Sequence, residues 1–469
     1  MRIAFVAANR ENMPDAVIPL GLLYVMESAP PHHERILIDL CFEADPLEHL
    51  TARLAGFRPD LIALGMRNIQ SNDYAHSERN LIWYDRCVAT LRRVSNAPLV
   101  VGGGGFTVMP AALMRRLRPD FGIAGEGERP FARLLELLEA GVASSDGLRQ
   151  IPRMHFFDPD NGELVSVPEA GSFQKLDELA APDRSILDRR YFSEYGTDSV
   201  QTKRGCPLGC RYCTYPRLEG RALRQRDPAR VVDELFAARE GQPDLKHVFF
   251  VDAVFNLPAR HAKQICREMI RRGYNVPWTA YANPIGFDAE LADLMREAGC
   301  AGLEIGSDSG CDAILARLRK GFSTQQIRAI HRKCVAAGLP DCHAFLLGTE
   351  GETLADVRRT LDFVTDLDPY AAILMVWTDD QEALGSEAND GNHAPAEARR
   401  EVRESILELL RAAKDDFPRW IIPPVGTNFD ARLFARLRRR GLTGPLWQHL
   451  QRKGRDLPGE RVRRLFHGA

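Results

Sequence analysis

The chain has 469 residues, of which 45% are hydrophobic, so it can bury several apolar cores and is not a disordered, collagen-like or low-complexity protein. At roughly 150 residues per domain, this length predicts about three structural units. The 62 Lys and Arg residues nearly balance the 64 Asp and Glu residues, and the net charge of −2 argues against broad nucleic-acid binding.

Targeting signals and cysteine content indicate the cellular compartment in which the protein is expected. No apolar run approaches the ~20 residues that a membrane-spanning helix needs. The apolar segment 1–8 is short and predicts a β-strand rather than a signal peptide, so we expect a cytoplasmic protein. In a reducing compartment the ten cysteines are not expected to form disulfides. Three of them, Cys206, Cys210 and Cys213, lie close together and are the most informative feature of the composition.

Residues 1–145 alternate short apolar runs with helical stretches. The predicted strands are 3–7, 35–40, 61–66, 98–102 and 121–124, and the predicted helices include 80–94 and 110–117. This order predicts an α/β domain with a doubly wound parallel sheet and helices on both faces. Ligands of such sheets bind beyond the carboxyl ends of the strands, so the loops at those ends are the candidate sites.

Two glycine-rich loops follow the last two strands of this predicted sheet. One is the run Gly102-Gly103-Gly104-Gly105, and the other is Gly125-Glu126-Gly127-Glu128. Glycine lets the backbone approach a ligand closely, although a tight turn explains these glycines equally well. The first strand–helix turn contains no glycine, so a dinucleotide-binding fingerprint, and with it NAD, is not expected.

Together with Pro19-Leu20-Gly21-Leu22 and Pro110, these segments resemble the Rossmann-like cobalamin-binding domains found at the front of many radical SAM enzymes. The resemblance implies cobalamin contacts at Arg67, Asn68, Gly103, Gly104, Gly105, Phe106, Gly125 and Glu126. For Arg67 and Asn68, capping of a loop remains the alternative role.

The motif that supplies a histidine ligand to cobalt in other cobalamin-binding families is Asp-x-His-x-x-Gly. The nearest match here is Asp341-Cys342-His343, but Leu346 stands where the glycine should be, and the segment lies in another predicted domain. If cobalamin binds, we therefore expect no histidine beneath the cobalt.

Residues 146–195 change character and predict a linker. The turn signal 158–162 separates two short strand-like runs, and the stretch 176–195 is rich in charge and carries Pro182.

The chemistry-bearing motif is Cys206-x3-Cys210-x2-Cys213. Three thiolates can hold three corners of an iron–sulfur cube, whereas ferredoxin-type clusters use four, so one iron stays open to another ligand. Gly205 and Gly209 are expected to let the loop wrap such a cube. A zinc site with a distant fourth ligand and a plain electron-transfer cluster are the alternatives.

This spacing, with Tyr212 before the last cysteine, resembles the radical SAM superfamily. The resemblance implies a [4Fe-4S] cluster whose open iron binds S-adenosylmethionine (SAM), which is then cleaved to a 5′-deoxyadenosyl radical. Residues 196–377 fit its partial (β/α)6 barrel, with predicted strands at 199–203, 247–251, 278–281, 302–305, 343–347 and 371–376. Catalytic groups in barrels lie at the carboxyl ends of strands.

By the same resemblance, SAM contacts are expected at the ends of these strands. The implied residues are Asp252 for the methionine amino group, Glu304 and Ser307 for the ribose or methionine, Tyr212 and Gly348 for the adenine, Lys320 for the carboxylate, and Asn256 beside Asp252. Carboxylates, hydroxyls and a cation suit a zwitterionic amino acid with a ribose. The alternative for each is a local ion pair or hydrogen bond.

Residues 378–469 predict a mostly helical region that matches the family least. A helix is expected over 396–411, and Asp379 and Asp380 are candidates to bind a polar substrate. The sequence from residue 431 onward contains 11 Lys and Arg residues but only 2 Asp and Glu residues. A solvated basic helix, with Leu433 and Leu437 turned inward like Leu446, is favoured over peripheral contact with anionic lipid.

The leading functional hypothesis is a cobalamin-dependent radical SAM methyltransferase that acts on an unactivated carbon. Radical cyclisation or rearrangement without methyl transfer is the first alternative, and a non-catalytic sensor of cobalamin or iron–sulfur status is the second. The expected partners are a small-molecule, peptide or lipid substrate and an electron donor such as flavodoxin or ferredoxin, with no DNA.

Overall fold

The computed structural model describes residues 1–70, 79–169, 175–378, 396–413 and 419–449. Two seven-stranded sheets organise this part of the chain, one in the N-terminal third and one in the middle. No described helix is long and apolar enough to cross a bilayer.

The N-terminal sheet has the strand order β2-β1-β3-β4-β5-β6-β7. Its strands are β1 (Arg2–Ala7), β2 (Glu34–Asp39), β3 (Leu61–Gly65), β4 (Leu99–Gly102), β5 (Phe121–Ile123), β6 (Met154–Phe157) and β7 (Leu164–Ser166). Its helices are α1 (Leu20–Ser28), α2 (Pro46–Phe57), α3 (Arg79–Val94), α4 (Gly104–Val108), α5 (Pro110–Leu117), α6 (Glu128–Glu139) and α7 (Ser145–Leu148). The first five strands are parallel, which confirms the predicted doubly wound architecture.

The sheet continues past residue 145, where the sequence predicted the domain to end. Strand β6 pairs antiparallel with β5, and β7 pairs antiparallel with β6. Met154 and Phe156 are buried in the same core as the first strands. The hairpin therefore belongs to the N-terminal domain, because its apolar face completes that core, and the linker is shorter than predicted.

A buried ion-pair network ties the remaining linker to the next domain. Arg184 binds Asp198 at 2.6 Å and Glu234 at 2.7 Å, and all three side chains are buried. After it comes the short helix α8 (Arg190–Ser193). Paired buried charges of this kind fix the path of a chain, since breaking one partner leaves the other uncompensated.

The second sheet forms the partial barrel, in the order β16-β15-β14-β13-β12-β11-β8. Its first six strands in the chain are β8 (Thr197–Val200), β11 (His247–Phe250), β12 (Trp278–Ala282), β13 (Cys300–Asp308), β14 (Asp341–Leu347) and β15 (Ala371–Val376). A separate antiparallel pair, β9 (Lys203–Arg204) and β10 (Arg224–Gln225), brackets the cysteine motif. The helices are α9 (Tyr215–Glu219), α10 (Pro228–Gly241), α11 (Ala259–Arg272), α12 (Ala289–Glu297), α13 (Asp312–Arg317), α14 (Thr324–Ala336) and α15 (Leu354–Leu367).

The six predicted barrel strands are confirmed, and all pairings along the sheet are parallel. A seventh strand, β16 (Trp420–Ile421), pairs with β15 and was not predicted. It is only two residues long, so no period-2 pattern could mark it.

The C-terminal region closes one end of the barrel. It contains α16 (Ala396–Ala413), which confirms the predicted helix, and α17 (Ala431–Arg439). Trp447 is buried against the start of β13, where a Cβ atom on Gly302 would lie 2.4 Å from its ring. Leu433, Leu437 and Leu446 are buried, as expected. Asp379 and Asp380 lie outside the described residues.

The glycine run after β4 is explained by close backbone packing. Gly103 has φ +95°, and a Cβ atom there would lie 2.5 Å from the carbonyl oxygen of Met66. The Gly105 N–H donates to that same oxygen at 2.9 Å. The loop after β4 therefore stacks directly on the loop after β3, a contact that only glycine permits.

Gly103→Ala is expected to destabilise the N-terminal domain by roughly 2–4 kcal/mol, because it combines a disfavoured φ with a backbone clash. The urea midpoint followed by circular dichroism measures this. Gly21→Ala is the matched control, since that helical position has nothing within 4 Å and alanine is the better helix former. Equal midpoints for the two variants would contradict the packing argument.

Candidate functional site

A crevice lies at the carboxyl ends of the N-terminal strands and faces the barrel. Its described lining includes Arg67, Gly103, Gly104, Gly125 and Glu126, together with apolar strand ends and residues of the barrel. None of its described lining residues is a histidine. Open glycine backbone and apolar walls suit a large planar ligand that carries amide groups.

Three residues of the predicted cobalamin set do not line the crevice, namely Asn68, which is described below, Gly105 and Phe106. Phe106 is fully buried in the core, where its ring contacts His155 edge to face with centroids 5.8 Å apart. Gly105 is buried against the Asn68 backbone. Gly105 and Phe106 pack on the side of the loop that faces the protein core. Only the first part of the glycine run therefore lies at the crevice wall.

Arg67 and Asn68 follow β3 and reach the space between the domains. The Arg67 side chain is exposed and lines both the crevice and a second cavity inside the barrel. Its backbone N–H donates to the Tyr84 hydroxyl at 3.2 Å, which fixes the loop without using the guanidinium. Asn68 lines the barrel cavity and donates to Glu11 at 3.4 Å.

The cysteine loop leaves β9 and is anchored at several backbone points. The Cys206 N–H donates to the Gly220 carbonyl at 3.1 Å, and the Gly205 N–H donates to the Glu219 carboxyl group at 3.0 Å. Gly205 has φ +92°, and a Cβ atom there would lie 2.0 Å from the Ala222 carbonyl oxygen. Gly205 is therefore required by the turn, whereas Gly209 has open space around it and no positive φ.

The three thiols lie in a setting that suits a metal cluster. Burial raises the pKa of Cys206, Cys210 and Cys213, that of Cys213 to about 11, and bound metal would reverse this by stabilising the thiolates.

Tyr212 and Lys320, both predicted as SAM contacts, come together around Asp308. The Tyr212 hydroxyl donates to Asp308 at 2.5 Å, and the Lys320 ammonium lies 2.7 Å from the same carboxylate. Burial and the neighbouring Asp308 raise the pKa of Tyr212. Asp308, at the end of β13, is the member of this trio that the sequence argument missed.

Asp252 and Asn256 are fully buried and bonded to the protein itself. Asp252 accepts hydrogen bonds from the Thr202 N–H at 2.7 Å and from the Lys203 ammonium at 2.7 Å. Asn256 bonds the backbone of Asn283 and Ile285. Both residues are thus bonded within the protein, Asp252 to the segment that leads into the cysteine loop and Asn256 to the segment 283–285, and neither lines the crevice or the barrel cavity as the resemblance implied.

Ser307 is also bonded internally. Its hydroxyl lies 2.7 Å from His343 Nδ1, and both His343 and His331 bond the Asp341 carboxylate, at 3.0 and 2.6 Å. Because Ser307 and His343 are fully buried, Ser307 belongs to a hydrogen-bond network inside the protein.

Gly348 and Glu304 lie at different levels of the barrel. Gly348, directly after β14, has φ +77°. Glu304 lies in the middle of β13 and faces the barrel cavity, where it accepts a hydrogen bond from the Trp447 indole N–H at 2.9 Å.

The strongest contacts between the two domains converge on the cysteine loop. Arg204 lies 2.6 Å from Glu128 and 3.3 Å from Glu126, and Arg224 also binds Glu126. The Gly-Glu-Gly-Glu loop therefore clamps the two strands that bracket the cysteines. The sequence signal was available, since alternating glutamates after β5 needed a basic partner and Lys203-Arg204 precedes the cysteine motif.

Comparison with known protein families agrees with this arrangement. The B12 binding domain matches residues 8–135, and the Radical SAM superfamily model matches residues 200–364. The two matched regions correspond to the N-terminal sheet with its crevice and to the barrel with its cysteine loop.

Similar proteins include several methyltransferases. Tryptophan 2-C-methyltransferase from Streptomyces laurentii is 27% identical over 427 residues, covering 78% of this chain and 70% of that protein. An uncharacterized methyltransferase from Pyrococcus horikoshii is 26% identical over 353 residues, covering 75% of this chain and 73% of that protein.

Among solved structures, one of the radical SAM methyltransferase TsrM from Kitasatospora setae, with cobalamin and a [4Fe-4S] cluster bound, has a TM-score of 0.71. Its sequence is 27% identical, and the match covers 80% of this chain and 74% of that one.

Glu128→Gln is expected to loosen the contact between the domains, because it leaves the buried Arg204 guanidinium without its nearest countercharge. Breaking a buried pair costs about 3–5 kcal/mol. Calorimetry should show a lower Tm, and limited proteolysis should show faster cleavage between the domains. Glu136→Gln, which breaks only the exposed Arg133 pair, is the control and should leave both unchanged.

Proposed function

Because the barrel matches the Radical SAM superfamily model and the domain ahead of it matches the B12 binding domain, we propose that the protein transfers a methyl group from SAM, by way of cobalamin, to an unactivated carbon of a small molecule. The relative from Streptomyces laurentii, named as a tryptophan methyltransferase, supports a small-molecule substrate over a peptide or lipid.

The observation that carries this proposal is that the two cavities adjoin each other. The crevice and the barrel cavity share five described wall residues, namely Val17, Arg67, Ser199, Tyr215 and Val251. Tyr215 begins the helix directly after the cysteine loop, and Arg67 ends the loop after β3. A substrate in this shared space would therefore face a group in the crevice on one side and the barrel interior on the other.

When bound, the cluster supplies the electron that cleaves SAM, and cobalamin carries the methyl group from SAM to the substrate. A flavodoxin or ferredoxin is the class of protein that would reduce the cluster. Every other contribution comes from the chain's own residues.

In this proposal Cys206, Cys210 and Cys213 hold the cluster, on the loop that the backbone N–H groups of Gly205 and Cys206 anchor. Arg67 and the backbone at Gly103 and Gly104 would face the corrin ring.

Around SAM, the Lys320–Asp308 ion pair would orient the carboxylate while Tyr212 and Gly348 would flank the adenine. Both charged groups of the pair are buried, so water is largely excluded where they act and their interaction is strong.

The Asp252 carboxylate would hold the end of the strand that leads into the cysteine loop. It binds Lys203, which is also buried and also donates to the Phe255 carbonyl at 2.9 Å. Catalysis by a cluster depends on its position, so this support contributes by fixing the loop.

The proposal is tested with anaerobically reconstituted protein loaded with hydroxocobalamin. After reduction and addition of SAM, we expect about one equivalent of S-adenosylhomocysteine per bound cobalamin, without any substrate. With the substrate, 5′-deoxyadenosine should appear as well. Release of 5′-deoxyadenosine without S-adenosylhomocysteine would instead favour rearrangement or cyclisation.

Cys213→Ala is expected to lose the iron–sulfur absorption band and all formation of 5′-deoxyadenosine, because two thiolates cannot hold the cube. Cys87→Ala, in the buried face of α3 in the other domain, is the matched control and should keep both. Iron and zinc analysis completes the test. One zinc per chain, with no iron, would overturn the cluster assignment.

A further inference from the structure

The barrel contains a cavity of about 510 Å³. Glu304 lines it, and one part of the cavity extends from Glu304 towards the start of β13. Its described lining includes Asp15, His247, Tyr281 and Trp447 besides Glu304. His247 is the first residue of β11, and Trp447 closes the start of β13, so this part of the cavity lies towards the amino ends of the strands.

The cysteine loop lies at the opposite end. Glu304 precedes Asp308 by four strand residues, a separation of about 13 Å at ~3.3 Å per residue. Cys206, Cys210, Cys213 and the Tyr212–Asp308–Lys320 trio do not line this cavity. The end of the cavity at His247 and Trp447 therefore lies away from the proposed SAM contacts, while its other end, at Tyr215 and Arg67, adjoins the crevice.

Glu304, Asp15 and His247 each have a polar atom without a hydrogen bond to any described residue. Glu304 uses one carboxylate oxygen for Trp447, and within the described ranges the other has no hydrogen bond. Asp15 has no side-chain hydrogen bond to any described residue. His247 is 97% buried and uses Nε2 for Thr279 at 2.8 Å, which leaves Nδ1 without a described partner.

Two carboxylates, Asp15 and Glu304, supply the negative charge of this compartment, and Arg67 supplies a guanidinium where the lining adjoins the crevice. Asp15 interacts electrostatically with Glu304, and burial raises the pKa of both, that of Asp15 to about 6. Burial lowers the pKa of His247 to about 4, so this imidazole adds no positive charge at neutral pH. Arg438 faces Asp15 from outside the cavity lining and bonds the Asn12 carbonyl at 3.0 Å.

Aromatic side chains form much of the remaining wall, which also includes the polar residues Arg67, Asn68, Thr197 and Ser199. Phe249 and Tyr281 pack edge to face with centroids 5.0 Å apart, and Tyr281 keeps 39% of its surface accessible although it lies within the barrel wall. Trp447 presents a further ring. A cavity with aromatic walls and unpartnered acceptors suits an apolar body that ends in a group with several N–H donors.

We propose that this compartment binds the protonated amine end of the substrate, and that the substrate class is therefore a small primary amine with an apolar or aromatic body. The ammonium group would place its N–H donors on Glu304 and Asp15 and offset the cost of burying two carboxylates. This inference rests on the proposed function only in calling the occupant a substrate.

The test is isothermal titration calorimetry on anaerobic, cluster- and cobalamin-loaded protein, with 2-phenylethylamine as the probe. The neutral isostere 2-phenylethanol and the anion 3-phenylpropionate are the comparison ligands. We expect the amine to bind at least about tenfold more tightly than the alcohol, since a charged hydrogen bond is worth that much, and the anion not to bind. Equal affinity for amine and alcohol, or no binding of the amine at millimolar concentration, would overturn the proposal.

Two variants locate the binding. Glu304→Gln and Asp15→Asn should each weaken the amine by about tenfold and leave the alcohol unchanged. Asp15→Asn breaks no described side-chain hydrogen bond, so it remains informative if Glu304→Gln lowers Tm through loss of the Trp447 contact. Glu290→Gln, which removes an exposed carboxylate bound to Lys263 and Arg267, is the control and should bind as wild type. Unchanged amine affinity in both cavity variants would refute the assignment.

The methionine part of SAM also carries an amine, so SAM is titrated as a further arm. If both variants weaken SAM and leave 2-phenylethylamine unaffected, the compartment serves SAM and the proposal is wrong. Probe binding needs no turnover, so a protein that binds the amine yet forms no S-adenosylhomocysteine would contradict only the proposed function. The reverse result would contradict only this inference.

Discussion

Arg204 is a buried guanidinium that lies between two carboxylates of the N-terminal domain and only two residues before the first cysteine of the barrel loop. A buried charge of this kind is stable only with its partners in place, so Glu126 and Glu128 hold the domains together at the point where the chemistry would take place. The distance between the crevice and the cysteine loop is thereby fixed by the same contacts that dock the domains. The methyl transfer that we propose, between cofactors held by different domains, would depend on that distance.

A second set of buried charges supports the loop from within the barrel. Lys203, adjacent to Arg204, binds Asp252 at the end of β11. The residue pair Lys203-Arg204 therefore points its two charges in opposite directions, one to each domain. Since neighbouring residues of a strand face opposite sides, this division follows directly from the extended backbone of β9.

Several predicted site residues are hydrogen-bonded to the protein itself, and the cost of burying polar groups explains why. Motifs point to loops, but within a loop a carboxylate can either face a ligand or bond to the protein itself. Asp252, Asn256, Ser307 and Glu126 are bonded to neighbouring chain segments, because a buried polar group without a partner is costly. Tyr212 and Lys320 instead gather around Asp308 beside the cysteine loop. Which residues would meet there could not be read from spacing, since they come from three separate loops.

The sequence by itself determined the two α/β sheets, the six parallel barrel strands and the cysteine spacing, because these depend on local hydrophobic period and on the positions of Gly and Cys along the chain. Only the tertiary structure decided that the hairpin β6–β7 extends the first sheet, that β16 extends the second and that Trp447 closes the barrel. It also decided that Asp15, from the first loop of one domain, faces Glu304 inside the other. These outcomes depend on contacts between residues far apart in the chain, and such contacts are set by packing of the whole molecule, which no local pattern encodes.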